Sequence, residues 1–134
     1  MERDYSHRTR LQKLGIKPES LVFIQGEMDE DFLAEVESQR ANADKCDVLL
    51  ARVEEMKDLK VFAKLHLKMQ PAAGLWIVYP KGKKHIREAD VRAAGLTAGL
   101  VDNKVVSFSE THTALRFVIP LANRPKEKSE PSGN

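Results

Sequence analysis

One stretch limits the architecture more than any other. Ala73-Gly74-Leu75-Trp76-Ile77-Val78-Tyr79-Pro80 is an unbroken apolar run that stops at Pro80, Lys81 and Gly82. A strand without polar alternation is buried on both faces, as parallel sheets covered by helices require. A helical pattern follows from Arg87 to about Gly99, and then two β-type runs, Lys104–Phe108 and Ala114–Ile119. The polar loop between them, Ser109 to Thr113, is too short for a crossover, so the last strand must run antiparallel to its predecessor or leave the sheet.

The rest of the chain repeats the alternation. Thr9 to Leu14 reads as a short helix capped by Gly15, with Pro18 preventing continuation. Leu21–Gln25 is a first strand ending at Gly26. Asp29 suits an N-cap, with Glu30 and Asp31 in the first turn of a helix that gives out near Ala41. Asp47–Val53 is a second strand, and Glu54–Met69 a second long helix with Met56, Leu59, Phe62, Ala63 and Leu65 among its apolar positions. Strands alternating with helices give an α/β fold in three layers, an open and mainly parallel sheet of about five strands. Residues 1–8 are expected to be a flexible N-terminus, 9–122 a single domain and 123–134 a disordered tail rich in Pro, Lys, Glu, Ser and Gly.

Composition excludes several classes. A formal net charge of +2 is too small to announce a nucleic-acid or membrane partner. A lone cysteine, Cys46, rules out an internal disulfide and a multi-cysteine zinc site. No stretch approaches the roughly 20 apolar residues of a membrane span, and the polar start lacks the apolar region of a signal peptide. A cytoplasmic location is the expectation. Four scattered histidines predict no metal site.

Several segments together resemble a known layout. They are Leu14-Gly15-Ile16-Lys17-Pro18 before the first strand, Tyr79-Pro80-Lys81 closing the third, Ala94-Gly95-Leu96 in the last helix, and the segment Glu110-Thr111-His112-Thr113-Ala114-Leu115-Arg116-Phe117-Val118. The chain resembles a class I S-adenosylmethionine-dependent methyltransferase domain over residues 10–120. It resembles more closely a family of small bacterial proteins of unknown function that are trimmed versions of that domain. The resemblance implies a Rossmann-like sheet in spatial order 1-2-3-5-4 with the last strand antiparallel. The departures matter. The methyltransferase pattern has a Gly-x-Gly-x-Gly turn after the first strand, whereas this chain has Gln25-Gly26-Glu27-Met28-Asp29. Between Gly26 and Asp47 only about 20 residues remain, room for one helix and its loops, so the family's second and third strands do not fit.

The function expected from this reading is a non-catalytic interaction or structural module without a cofactor or a catalytic residue, acting as a homodimer or with another protein. The alternative is a small anionic-ligand or nucleotide binder at the carboxyl ends of the first three strands, where open α/β sheets hold ligands. Its residues would be Gly26, Glu27, Glu54, Tyr79 and Lys81, with Lys81 holding an anion, Tyr79 offering stacking or a hydroxyl, and Glu27 or Glu54 meeting a sugar hydroxyl. The acidic stretch Glu27–Asp31 argues against nucleic acid. Ser107, Ser109, Glu110, Thr111 and His112 are read as loop closure rather than hydrolase chemistry. Arg116, inside an apolar strand, needs a partner if buried, and Glu110 is the expected one, as a structural ion pair across the hairpin.

Overall fold

A computed structural model describes residues 8–124. The expectations for residues 1–7 and 125–134 lie outside the described residues. Five strands form one sheet: β1 Val22–Gln25, β2 Val48–Arg52, β3 Gly74–Pro80, β4 Val101–Ser107 and β5 His112–Val118. Their spatial order is β1-β2-β3-β5-β4. β1, β2 and β3 pair in parallel, and β5 lies antiparallel between β3 and β4. Four α-helices accompany them: α1 Arg10–Leu14, α2 Glu30–Val36, α3 Val61–Leu65 and α4 Glu88–Thr97.

Side-chain alternation along the strands splits the core into two. Leu49, Ala51, Leu75, Ile77, Leu115 and Phe117 face α3 and α4, where Phe62, Leu65 and Val91 meet them. Leu50, Trp76, Val78 and Ala114 face the opposite layer, where Leu14 of α1 and Phe32 and Val36 of α2 cover them. All seven residues of β3 are buried, as the apolar run requires. Trp76 donates its Nε1–H to the carbonyl of Leu14 at 3.1 Å, which fixes the end of α1 on the sheet. α1 itself is set by a reciprocal cap between Thr9 and Gln12 and by Gly15 at φ 75°.

The helices differ from their sequence pattern in two places. The expected helix over 54–69 is a 3-10 segment, Met56–Lys60, running into the short α3. The Asp58 carboxylate accepts the N–H groups of both Glu54 and Glu55, at 2.9 and 3.1 Å, and caps the entry to the 3-10 segment. α2 ends at Val36 rather than near Ala41. The chain passes through a 3-10 turn, Glu37–Gln39, and Arg40 forms a parallel bridge to Val22 while Ala41 N–H donates to the Val22 carbonyl at 3.0 Å. Those last residues cover part of the open edge of β1, which a longer helix could not do. At the other end the chain still makes a 3-10 turn over Leu121–Asn123.

The expected ion pair between Glu110 and Arg116 does not form. Glu110 is exposed in the turn of the β4–β5 hairpin, while Arg116 lies four residues into β5, level with Trp76 and Lys104. Among the described residues its Nη1 reaches only Asn103 Oδ1, at 3.4 Å. The rise of a strand, ~3.3 Å per residue, carries the two groups out of reach of one another.

Candidate functional site

The parallel strands end at Gln25, Arg52 and Pro80, and the β4–β5 turn lies at the same end of the sheet. A crevice of ≈ 680 Å³ opens there, lined by Gly26, Glu27, Asp29, Arg40, Arg52 and His112 among others. Gly26 turns the chain out of β1 at φ 94°. A Cβ added to it would sit 3.1 Å from Arg52 Cβ, so the space its lack of a side chain leaves is taken up by Arg52.

Two clusters hold the crevice. In the first, Glu54 Oε2 accepts from Arg52 Nε at 2.5 Å and faces His112 Nε2 at 2.6 Å, and Arg52 Nη1 donates to the Glu27 carbonyl at 3.2 Å. Burial works against charge on Glu54, yet the hydrogen bonds from Arg52 and His112 outweigh it and hold the carboxyl below its ordinary range. In the second, Arg10 grips Asp29 through both guanidinium nitrogens at 2.8 Å and lies over the rings of Phe32 and Phe108, 5.2 and 4.8 Å from their centroids. Asp29 also caps α2 through Phe32 N–H. The Arg10 hydrogen bonds, followed by that cap, draw its carboxyl below the usual value.

His112 Nδ1 faces Thr111 Oγ1 at 2.8 Å, so carboxylate, imidazole and hydroxyl stand in a row. The arrangement has the parts of an activated nucleophile. Its surroundings close a turn instead. The backbone N–H groups of Thr111 and His112, the donors nearest the hydroxyl, both point to Ser109 Oγ, at 3.3 and 3.1 Å. A pair of donors free to receive an oxyanion is the feature acyl transfer requires, and this pair is already engaged.

The residues expected to form one site are divided. Gly26 and Glu27 line the crevice, and Glu54 stands behind it through Arg52 and His112. Tyr79 and Lys81 border a separate hollow of ≈ 420 Å³ with Lys83, Lys84 and Arg87. Tyr79 is buried, its hydroxyl 3.4 Å from Glu88 Oε1, and burial with the Glu88 charge pushes its pKa up to about 12. Lys81 turns its ammonium to Ser107 Oγ at 2.8 Å. The neighbours of Gly26 that matter most, Arg10, Arg40 and Arg52, carry no local motif. Arg52, a cation closing an apolar strand, is the one signal that could have pointed to the crevice. Among the described residues no group of three acidic, His or Cys side chains could hold a metal ion, and no helix is long and apolar enough to cross a membrane.

The topology and the carboxyl-end crevice define the Rossmann-like methyltransferase fold. Solved structures bear this out. The chain superimposes on a SAM-dependent methyltransferase from Aquifex aeolicus with a TM-score of 0.57 and 14% identity, covering 82% of this chain and 87% of that one. It matches the Methanococcus jannaschii fibrillarin pre-rRNA processing protein at 0.53 and 10%, covering 83% and 74%. It matches the magnesium protoporphyrin IX methyltransferase of Synechocystis, solved with bound SAH, at 0.53 and 11%, covering 82% and 78%. No protein-family model and no curated protein matches the sequence.

The turn after β1 and the edge beside it depart from the methyltransferase pattern. The turn after β1 has one glycine, and its open side is closed by Arg52. Among the described residues no strand lies outside β1.

Proposed function

We propose that this chain is a non-catalytic module of methyltransferase fold that works by association, with a second copy of itself or with another protein. One observation carries the reading: the polar groups at the ligand end of the sheet bind each other. Arg10 is engaged by Asp29, and Arg52 and His112 by Glu54. A ligand would have to break these pairs before gaining its own contacts, and breaking a partly buried pair leaves a charge unsatisfied. Both sheet edges support the associative half. β1 has a single bridge, Val22 to Arg40, on its outer side, and β4 has no outer strand among the described residues.

Thermal unfolding with S-adenosylmethionine, its demethylated product, ATP and NAD tests the first half. A compound at ~100 times its Kd would add ~2.7 kcal/mol, a shift of several degrees, and none is expected. Sedimentation velocity across a hundredfold range of concentration tests self-association. A saturable shift with any of the four compounds would overturn the reading.

Arg40 favours a second one. It lines the crevice and its side chain has no partner among the described residues, which suits a small anionic ligand. On that reading a saturable anion effect disappears in Arg40→Ala and survives Lys81→Ala.

A further inference from the structure

At the opposite end of the sheet, Arg116 presents a problem of electrostatics. It stands in the middle of β5, hydrogen-bonded between β3 and β4, on the face that carries Trp76. Its guanidinium lies on Gly74. A Cβ there would be 2.4 Å from Arg116 Nε, so this glycine serves close approach rather than an unusual backbone angle. The half-buried cation has a single weak acceptor, Asn103 Oδ1 at 3.4 Å, and no carboxylate among the described residues. Burial and the nearby Arg124 charge both disfavour its protonated form. The next strand adds a further cation, since Lys104 is the register partner of Arg116 and has no side-chain partner among the described residues.

These groups border a hollow of ≈ 320 Å³ whose walls include Leu14, Ala72 and Trp76. Asp47 also lines it, with Oδ1 accepting Leu21 N–H at 2.9 Å, so one carboxylate shares the hollow with the two cations. A guanidinium fork beside an ammonium, in a hollow walled in part by apolar side chains, matches a planar or tetrahedral oxyanion.

We infer that the hollow between the end of α1 and the start of β3 is a binding site for a small oxyanion, a carboxylate or a phosphate, gripped by Arg116 and Lys104. The site is separate from the carboxyl-end crevice and does not depend on how that crevice is used. It neutralises a cation that the fold otherwise leaves poorly compensated.

Trp76 is the only tryptophan in the chain and forms part of the wall, so its fluorescence reports occupancy. The experiment titrates the full chain with inorganic phosphate and with malonate, against chloride at matched ionic strength. A saturable change in emission with phosphate or malonate, absent with chloride, is expected. Response to phosphate alone would specify a phosphoryl group, and response to both a general oxyanion. Affinity should fall at least tenfold in Arg116→Gln and severalfold in Lys104→Ala, and stay unchanged in Arg40→Ala. Lys104 is exposed, so its variant tests the site even if Arg116→Gln is unstable. No saturable change in the wild type, or a change that survives in Lys104→Ala and Arg116→Gln alike, would overturn the inference.

Discussion

Gly95→Ala is the substitution whose outcome the packing dictates most directly. In an exposed helix the exchange would stabilise by ~1 kcal/mol, because alanine is the better helix former. Here α4 crosses β5 with Gly95 against the ring of Phe117. An added Cβ would lie 2.3 Å from Cε2 and 2.6 Å from Cδ2, where carbon atoms prefer ~3.5–4.0 Å. The ring cannot retreat. Phe117 is fully buried and meets Phe62 edge-on with centroids 4.9 Å apart, and its strand has neighbours on both sides. Overpacking of this kind costs ~1–3 kcal/mol and occasionally more. With both sides of the ring blocked, the upper part of that range applies. The helix gain offsets only part of it, leaving a net loss of about 1–2 kcal/mol. Unfolding entropy of ~2.1 cal/mol/K per residue gives about 0.3 kcal/mol/K for a chain this size, so Tm should drop by about 3–7 °C. Urea unfolding followed by circular dichroism measures the loss, with the slope unchanged. Introduced into Phe117→Leu, the same change should become nearly neutral, because the obstructing ring is gone. A Gly95→Ala protein as stable as the wild type would refute the reasoning.

Three further outcomes follow from the contacts. Glu54 has a carboxyl held below its ordinary value of 4.5, so its contribution is complete above that pH and disappears as pH falls through the depressed folded value; Glu54→Gln should flatten the acid limb of a stability–pH curve, and an unaltered limb would show the network to be inert. Arg10→Ala removes both the grip on Asp29 and the cover over Phe32 and Phe108, and a loss of ~1–2 kcal/mol is expected that persists largely in high salt, since ring packing is not screened. Trp76→Phe strips the Leu14 carbonyl of its donor and should cost ~1–3 kcal/mol, with faster hydrogen exchange in α1 than in β2 as the distinguishing sign.

The sheet was readable from local pattern because its signals are local. The run 73–80 reads as a doubly covered strand, and the short 109–113 loop excludes a parallel crossover. Asp29 announced its cap, and Gly15 its helix end. The site was harder to read. Tyr79 and Lys81 adjoin the rim in sequence, but strand alternation sends the Tyr79 side chain under α4, and Lys81 reaches β4 instead. The cross-tie from Glu54 to His112 joins residues 58 apart, and no spacing rule reports such a pair. The supposed Glu110–Arg116 pair failed for a similar reason. Arg116 needs a partner inside an apolar strand and Glu110 stands across the hairpin in sequence, whereas the extended strand carries the two groups apart along its length.

The placement of β3 has a consequence for how the chain acquires its structure. Its two neighbours are β2, made before it, and β5, made more than thirty residues after it. During synthesis at ~5–20 residues per second, this all-apolar strand spends seconds with one hydrogen-bonding edge unsatisfied. A segment of that composition, without charge, is the kind that self-associates when left open. The sheet can close only when nearly all of the folded region has emerged, so it must form late and by long-range contacts, the slow route for a domain of this size. The Lys81–Arg87 loop, with its charges directly after Pro80, stands where a gatekeeper against such self-association would be placed.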